Sequence, residues 1–256
     1  MKIATWNVNS VRQRERHVAD WLLRQQPDLL LLQEIKCEEP QFPGGLAFPG
    51  YTAHIVGQKS YNGVAILARI PATVMHRALP GLPDDDTQAR YIEVEAGGLV
   101  VGNLYLPNGN SGGEEGYAYK LRWMGHLAAH AKQLLDADRP CVFAGDYNVA
   151  PTDEDFFPGT LPPGDALVRP ETRAAFRTML WHGLTDAVRA VKPAGRVYTF
   201  WDYQAGAWRR DAGLRIDHAL LSPGVAERLV SAVPDRDERG LVQPSDHVPV
   251  VLEFEQ

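Results

Sequence analysis

Cysteine is scarce in this sequence: Cys37 and Cys141 are the only two among 256 residues. Two cysteines make no disulfide framework, and their spacing makes no metal clip. Cys141 opens the apolar run CVFAG and reads as a small buried hydrophobe, whereas Cys37 lies in a polar stretch. Long apolar runs are also missing. None approaches the roughly 18 residues of a membrane-spanning helix, so a span is excluded and no membrane partner is expected. The start, MKIATWNVNS, has no extended apolar segment and turns polar by Asn7, which points to a cytoplasmic protein without a secretory signal. There is no Ser/Gly linker, repeat or low-complexity tract, so one domain over 1–256 is expected. Positive charge is in deficit: 26 Lys and Arg against 32 Asp and Glu leave a net charge of −6. That balance argues against a non-specific nucleic-acid coat. It does not exclude an enzyme that keeps acids for a metal and basic patches around them.

Hydrophobic residues make up 45% of the chain, enough for a large core. Lys2 to Trp6 reads as a strand, and Val11 to Gln26 carries Val11, Val18, Trp21 and Leu22 at helical spacing. PDLLLLQE is a short continuous apolar run, the pattern of a strand buried on both faces, and it ends at Glu34. YTAHIVGQKSYNGVAILAR and RYIEVEAGGLVVGNLYLP each read as a hairpin, the second turning at Gly97-Gly98. Gly116 to Ala137 places Tyr117, Leu121, Met124, Ala128, Ala131 and Leu135 on one helical stripe. CVFAGDYN is a strand, residues 151–170 are a Pro-rich loop, and PETRAAFRTMLWHG is a helix opened by Pro and closed by Gly. LRIDHALLS and VPVVLEF are further strands. Hairpins mixed with helix-separated strands predict an α/β protein with mixed sheets and outer helices.

The recurring feature is an apolar strand followed at once by a side chain able to do chemistry. Asn7, Glu34, Tyr105 with Asn108, Asp146 with Asn148, Asp217, and Asp246 with His247 all stand there. Taken singly, most have a plain explanation: Asn7, Asp146 and Asn148 suit turns, Tyr105 suits a core, and His247 suits a structural histidine. Glu34 after four leucines and Asp217 inside an apolar strand are harder to dismiss, because an unpaired carboxylate beside a core is costly. As a set, four carboxylates, an imidazole and several amides exceed what turns need. If they converge, like charges repel and a cation must compensate. The oxygen-rich donor set suits Mg²⁺ or Mn²⁺, and with no cysteine and one histidine it does not suit zinc.

The pieces ATWNVNSVR, LLQEIKC, YNGVAIL, NLYLPNG, FAGDYNVAPTDEDF, YTFWDY, GLRIDHALLS and PSDHVPV run in this order from residue 4 to residue 250. Together they resemble the exonuclease III family of DNA-repair nucleases, which includes the apurinic/apyrimidinic endonucleases. The resemblance implies a four-layer α/β sandwich, two mixed β-sheets face to face with helices outside. It implies Mg²⁺ or Mn²⁺ held by Glu34 with Asn7 and Asp246, and a second metal site near Asp146, Asn148 and His247 stays open. It casts Asp146 as the group that activates water or moves the proton, with Asn148 orienting it. His247 contacts the phosphoryl oxygen or takes a proton, with Asp217 fixing its tautomer, and Tyr105 and Asn108 bind the scissile phosphate. Phe200, Trp201 and Leu214 match positions bordering a pocket for an extruded abasic sugar, although packing of the core explains Trp201 equally well. Leu214 stands where some relatives have Trp. Arg12, with Arg14 and Arg16, would meet backbone phosphates, or simply face solvent. The implied partner is double-stranded DNA with abasic sites or 3′ ends, and a monomer is expected. The competing readings are a phosphoesterase for small or lipid phosphates on the same scaffold, and a non-catalytic binding protein that kept the fold.

Overall fold

A computed structural model describes residues 1–255; Gln256, the last residue of the expected domain, lies outside them. Twelve strands are present: Lys2–Asn7 (β1), Leu29–Gln33 (β2), Thr52–Val56 (β3), Val64–Ala68 (β4), Ala72–His76 (β5), Tyr91–Ala96 (β6), Leu99–Tyr105 (β7), Cys141–Asp146 (β8), Thr185–Asp186 (β9), Asp217–Leu221 (β10), Leu229–Pro234 (β11) and Val250–Phe254 (β12). They form two six-stranded sheets, ordered β11-β12-β1-β2-β4-β3 and β5-β6-β7-β8-β10-β9. Within them β1–β2 and β7–β8 run parallel and the other pairs antiparallel. The main helices are Glu15–Gln25 (α1), Gly113–Asp136 (α2) and Pro170–Trp181 (α3).

The layers follow from the two faces of each strand. On β2, Leu29 and Leu31 face the second sheet, and Leu30 and Leu32 pack toward α1 with Trp6, Val18 and Trp21. A strand covered on both sides needs apolar residues at every position, which is why four leucines stand in a row. Each fully buried leucine contributes about 1.5–3 kcal/mol. On β8, Val142 and Ala144 join the central layer, while Cys141 and Phe143 pack under Trp123, Met124, Leu127 and Ala131 of α2. The result is a four-layer α/β sandwich with helices on both outer surfaces. A polar pin crosses the central layer: Gln33 of one sheet donates to Thr5 and to Asn103 Oδ1 of the other (2.8 Å), and Asn103 donates back to the Leu32 and Ala65 carbonyls. This fixes how the sheets are aligned one residue before Glu34.

Three expectations need correction. The first helix begins at Glu15 rather than Val11, because Asn9 and Ser10 take left-handed φ of 43° and 86° and bend the chain first. Cys37, expected in polar surroundings, is fully buried against the α1 layer. Trp201, placed by resemblance at a substrate pocket, is fully buried: its ring packs on Tyr198 and Trp208 and its Nε1 donates to Asp211 (3.0 Å), so no face is left for a ligand.

Candidate active site

Register brings the chemistry to one edge of the sandwich. In the second sheet Tyr105, Asp146 and Asp217 are direct neighbours across β7, β8 and β10. In the first, Asn7 and Gln33 pair at the ends of β1 and β2, and Glu34 follows. Glu34 has a left-handed φ of 51°, a conformation uncommon outside glycine and asparagine that surrounding bonds must enforce. Here Ser10 N–H donates to the Glu34 carbonyl (2.7 Å) and Ile35 N–H donates to Gly63 (3.1 Å).

Hydrogen bonds link the side chains on either side of one wider gap, between Asp146 and His247. Asn7 Nδ2 donates to Glu34 Oε1 (2.9 Å) and Asp146 Oδ2 (3.0 Å). Asp146 Oδ2 lies 3.8 Å from His247 Nε2. His247 Nδ1 reaches both oxygens of Asp217 (2.9 and 3.1 Å), and Thr199 Oγ1 donates to Asp217 Oδ2 (2.6 Å). Asn148 N–H donates to Asp146 Oδ1 (2.9 Å), Asn148 Oδ1 accepts from Asn108 Nδ2 (2.8 Å), and its own Nδ2 donates to Leu106 O. His247 is held by main-chain ties as well: Trp6 Nε1 donates to its carbonyl, and its N–H donates to Ser245 Oγ, which in turn donates to Asn7 O.

Electrostatics separates the acids. Burial raises the Asp146 carboxyl to about 7, against the pull of His247 and with the push of Asp217 and Glu34. Burial would lower the His247 imidazole, but the Asp217 carboxylate outweighs it and drives it upward. At Glu34 burial pushes up, yet the Lys36 ammonium and the Asn7 amide win and hold the carboxyl below its usual range. Tyr105 is driven well above the ordinary phenol value by burial and by the nearby carboxylates of Glu34 and Asp146, so it is a neutral donor at working pH. Neighbouring groups with separated proton affinities are the mark of an acid–base site.

Asp146, Asp217 and His247 are the one group, among the described residues, with ligand atoms all within 4.8 Å. Their bonding argues for a proton relay instead of a metal sphere. Both Asp217 oxygens already accept hydrogen bonds, from His247 and Thr199. Cation demand is expressed on the other flank. Lys36 Nζ sits 2.8 Å from Glu34 Oε2 and 2.5 Å from Asn9 Oδ1, and Asn9 Nδ2 donates to Asp246 (3.2 Å). Glu34 and Asp246 are both partly exposed there. Carboxylate and amide oxygens that already draw in one cation fit a hard divalent ion. Asn7 presents its Nδ2 to the carboxylates, and its Oδ1 accepts from Asn9 N–H (3.0 Å); here it ties the carboxylates together. Likewise Asn148 is a brace, with both ends of its amide in use.

Phe200 stacks edge-on to His247 with ring centroids 4.9 Å apart, and with Leu214, Phe157, Leu161 and Asn108 it lines a cavity of 520 Å³ beside the relay. Arg12 is exposed on the loop after β1. Arg14 is a brace instead, donating to Asn9 O, Tyr203 Oη and Pro244 O, and Arg16 pairs with Asp20 in solvent. Sequence reasoning missed Lys36, Asn9, Thr199 and Ser245. Lys36 and Asn9 carried a signal, two residues beyond Glu34 and Asn7; Thr199 and Ser245 looked like ordinary turn residues.

A model of the endonuclease/exonuclease/phosphatase family matches residues 4–247. Exodeoxyribonuclease III of Haemophilus influenzae is 33% identical over 267 aligned positions, covering 99% of this chain and 100% of that protein. Among solved structures, an AP endonuclease from Archaeoglobus fulgidus aligns with a TM-score of 0.93 at 36% identity over 100% of both chains. The 3′ phosphatase NExo from Neisseria, bound to product DNA hairpin, aligns with a TM-score of 0.93 at 39% identity, again over 100% of both chains.

Proposed function

The chain belongs to the endonuclease/exonuclease/phosphatase family, in its exonuclease III branch, and on that premise we propose that it is a divalent-metal-dependent DNA-repair phosphodiesterase. It hydrolyses the backbone 5′ to abasic sites and/or removes 3′ nucleotides or 3′ blocking groups from duplex DNA. The observation that carries this reading is the path Glu34–Asn7–Asp146–His247–Asp217, which sets a cation-demanding carboxylate beside a proton relay.

Phosphodiester hydrolysis needs an activated water, neutralised phosphoryl oxygens and a stabilised leaving oxygen, all aligned. Asp146, with its carboxyl near neutrality, takes the proton of the attacking water, and the Asn148 N–H on its other oxygen aims it. His247, oriented and kept charged by Asp217, presents Nε2–H to a phosphoryl oxygen. Tyr105 and Asn108 donate to the other phosphoryl oxygens. Glu34 with Asp246, and with the oxygen of Asn7 if its amide turns, would hold Mg²⁺ or Mn²⁺, which supplies charge compensation and steadies the leaving 3′ oxygen. Phe200 and Leu214 receive the sugar in their cavity, and Arg12 meets a flanking backbone phosphate. The protein works as a cytoplasmic monomer, one domain over 1–256. Among the described residues no helix is long and apolar enough to cross a membrane.

The test is a duplex carrying one abasic analogue, incubated with Mg²⁺ or with EDTA. Metal-dependent nicking 5′ to the analogue, or shortening from a 3′ end, is the expected result. No cleavage of any duplex over a range of metals and salt, together with hydrolysis of soluble or lipid phosphoesters, would replace this reading with a small-phosphate esterase.

A further inference from the structure

Lys120 on α2 is fully buried, and among the described residues its amine bonds to no carboxylate; burial pulls the ammonium down to about 7, against the raising pull of Asp146 and Asp165. Its Nζ donates to three main-chain carbonyls: Asn108 O (2.9 Å), Asn148 O (2.6 Å) and Ala166 O (3.3 Å). A lysine is among the residues least often fully buried, and an unpaired buried charge is costly. Packing against α2 alone would call for an apolar residue at this position.

The three carbonyls belong to three separate loops. Two of them come from the residues whose side chains pair across the phosphate side of the site, Asn108 Nδ2 to Asn148 Oδ1 at 2.8 Å. The third loop is fastened to the first a second time, since Ala166 N–H donates to Asn110 Oδ1 (2.8 Å). Thr172 Oγ1 shares the Ala166 carbonyl with the lysine. Gly109 gives independent support. It lies at φ +87°, and a Cβ there would stand 2.7 Å from Lys120 Cδ and 3.1 Å from Ala166 Cβ. The loop therefore closes directly over the lysine stem, at a distance that only glycine permits.

We propose that Lys120 is a positioning residue for phosphate binding: a buried amine that clamps the Asn108, Asn148 and Ala166 loops from behind and so fixes the Asn108–Asn148 pair that faces the substrate. The three donors of an ammonium match the three carbonyls. Lys120 touches no substrate; it acts through Asn108 and Asn148. The inference rests on the phosphodiesterase reading for its assay, but the clamp itself has a readout that needs no activity.

The experiment is a double-mutant cycle of Lys120→Met and Asn108→Ala, with kcat and KM measured on a 3′-recessed duplex. In the parent, Asn108→Ala is expected to lower kcat by tenfold or more, as loss of a phosphate donor should (about 10²-fold or more at well-aligned sites). In the Lys120→Met background the same substitution should change kcat less than threefold, because Asn108 is already displaced. Lys120→Ala should regain part of its rate on addition of methylammonium, while Asn108→Ala should not. Independently, the side-chain amide NMR resonances of Asn108 and Asn148 should broaden or merge with those of exposed asparagines in Lys120→Met. If Lys120→Met does not fold, Gly109→Ala takes its place, since it displaces the same stem while keeping the amine. Strict additivity of the cycle with unchanged amide resonances overturns the proposal. An inactive parent whose amide resonances still respond to Lys120→Met refutes the nuclease reading and leaves the clamp standing.

Discussion

Asp217→Asn removes one negative charge from a position closed to bulk solvent. Asp217 is fully buried and holds His247 Nδ1 with both oxygens. His247 is raised to about 10, with Asp217 the leading cause of the rise and Asp146 and Asp246 adding to it. Against the ordinary imidazole value of ~6.5, that corresponds to roughly 5 kcal/mol in favour of the imidazolium. Without Asp217 the imidazole value falls back toward neutrality, so the loss through uncharged His247 is small at neutral pH and grows about tenfold per pH unit above the lowered value. An asparagine carboxamide can also turn its N–H toward Nδ1 and impose the wrong tautomer, a separate loss of up to about 10⁴-fold. The sign with pH is fixed by the roles. The reaction needs ionised Asp146, so it is lost as pH falls below that group's value. It needs protonated His247, so it is lost as pH rises through the imidazole's value. Asp217→Asn should therefore pull the alkaline limb down toward neutrality and leave a narrow window. The assay is kcat on an abasic duplex at saturating Mg²⁺ over roughly pH 6 to 10, with near-UV circular dichroism to confirm folding. A variant within threefold of the parent, with its alkaline limb unmoved, would refute the relay.

Lys36→Met should tighten divalent-ion binding, because the Lys36 ammonium occupies Glu34 Oε2 at 2.8 Å and competes for it. The expected gain is about 1 kcal/mol, or roughly fivefold, read by Mn²⁺ titration calorimetry; weaker binding would mean that Lys36 holds the carboxylate in place for the ion. Asp155→Asn should cost about 3–5 kcal/mol in urea unfolding, as loss of one partner of a buried ion pair does. Asp155 is fully buried and accepts from Arg215 Nε (2.7 Å) and from Arg189. Burial pushes the Asp155 carboxyl up, but the two guanidiniums hold it well below the usual carboxylate range. A depressed carboxyl stabilises the fold above its unfolded value, near ~4, and that contribution fades as pH falls below it. The parent should therefore lose stability between roughly pH 4 and 2 more steeply than Asp155→Asn. Parallel acid limbs would contradict the pairing.

What the sequence disclosed depended on pattern length. The LLLL run of β2 and the turn at Gly97-Gly98 are local signals, and each formed the element expected. Glu34 and Asp217 were conspicuous because a carboxylate against apolar neighbours needs a partner, and the partners, Lys36 with Asn7 and Thr199 with His247, were found. Trp201 was not legible, since an aromatic residue beside a loop has the same local pattern whether it meets core or ligand. Its burial is decided by Tyr198, Trp208 and Asp211. The edge strands β5 and β11 escaped notice for a related reason. They are half exposed, with Met75, Val230 and Val233 open to solvent, and carry too little apolar alternation to stand out. Lys120 carried no signal in the sequence; only the convergence of three loops on its Nζ gives it meaning.

Asn7 stands between two parts of the acidic cluster. One of its amide hydrogens serves Glu34 and the other Asp146. On the Glu34 side stand Lys36, Asn9 and Asp246, an arrangement that attracts cations; on the Asp146 side stand His247, Asp217 and Thr199, an arrangement that moves protons. Were the halves a single unit, every pair of substitutions would couple. If Asn7 insulates them, coupling should be confined within a half. Asp217→Asn and His247→Asn should be strongly non-additive in kcat, because either one already breaks the relay. Glu34→Gln and Asp217→Asn, each in a different half, should add to within a factor of about two in rate (about 0.3–0.5 kcal/mol) once the metal is saturating. Asn7→Ala should raise the coupling between Glu34 and Asp217 by exposing the two carboxylate clusters to each other. Full coupling between Glu34 and Asp217 in the parent would mean that cation and proton share one site, and the division drawn here would fall.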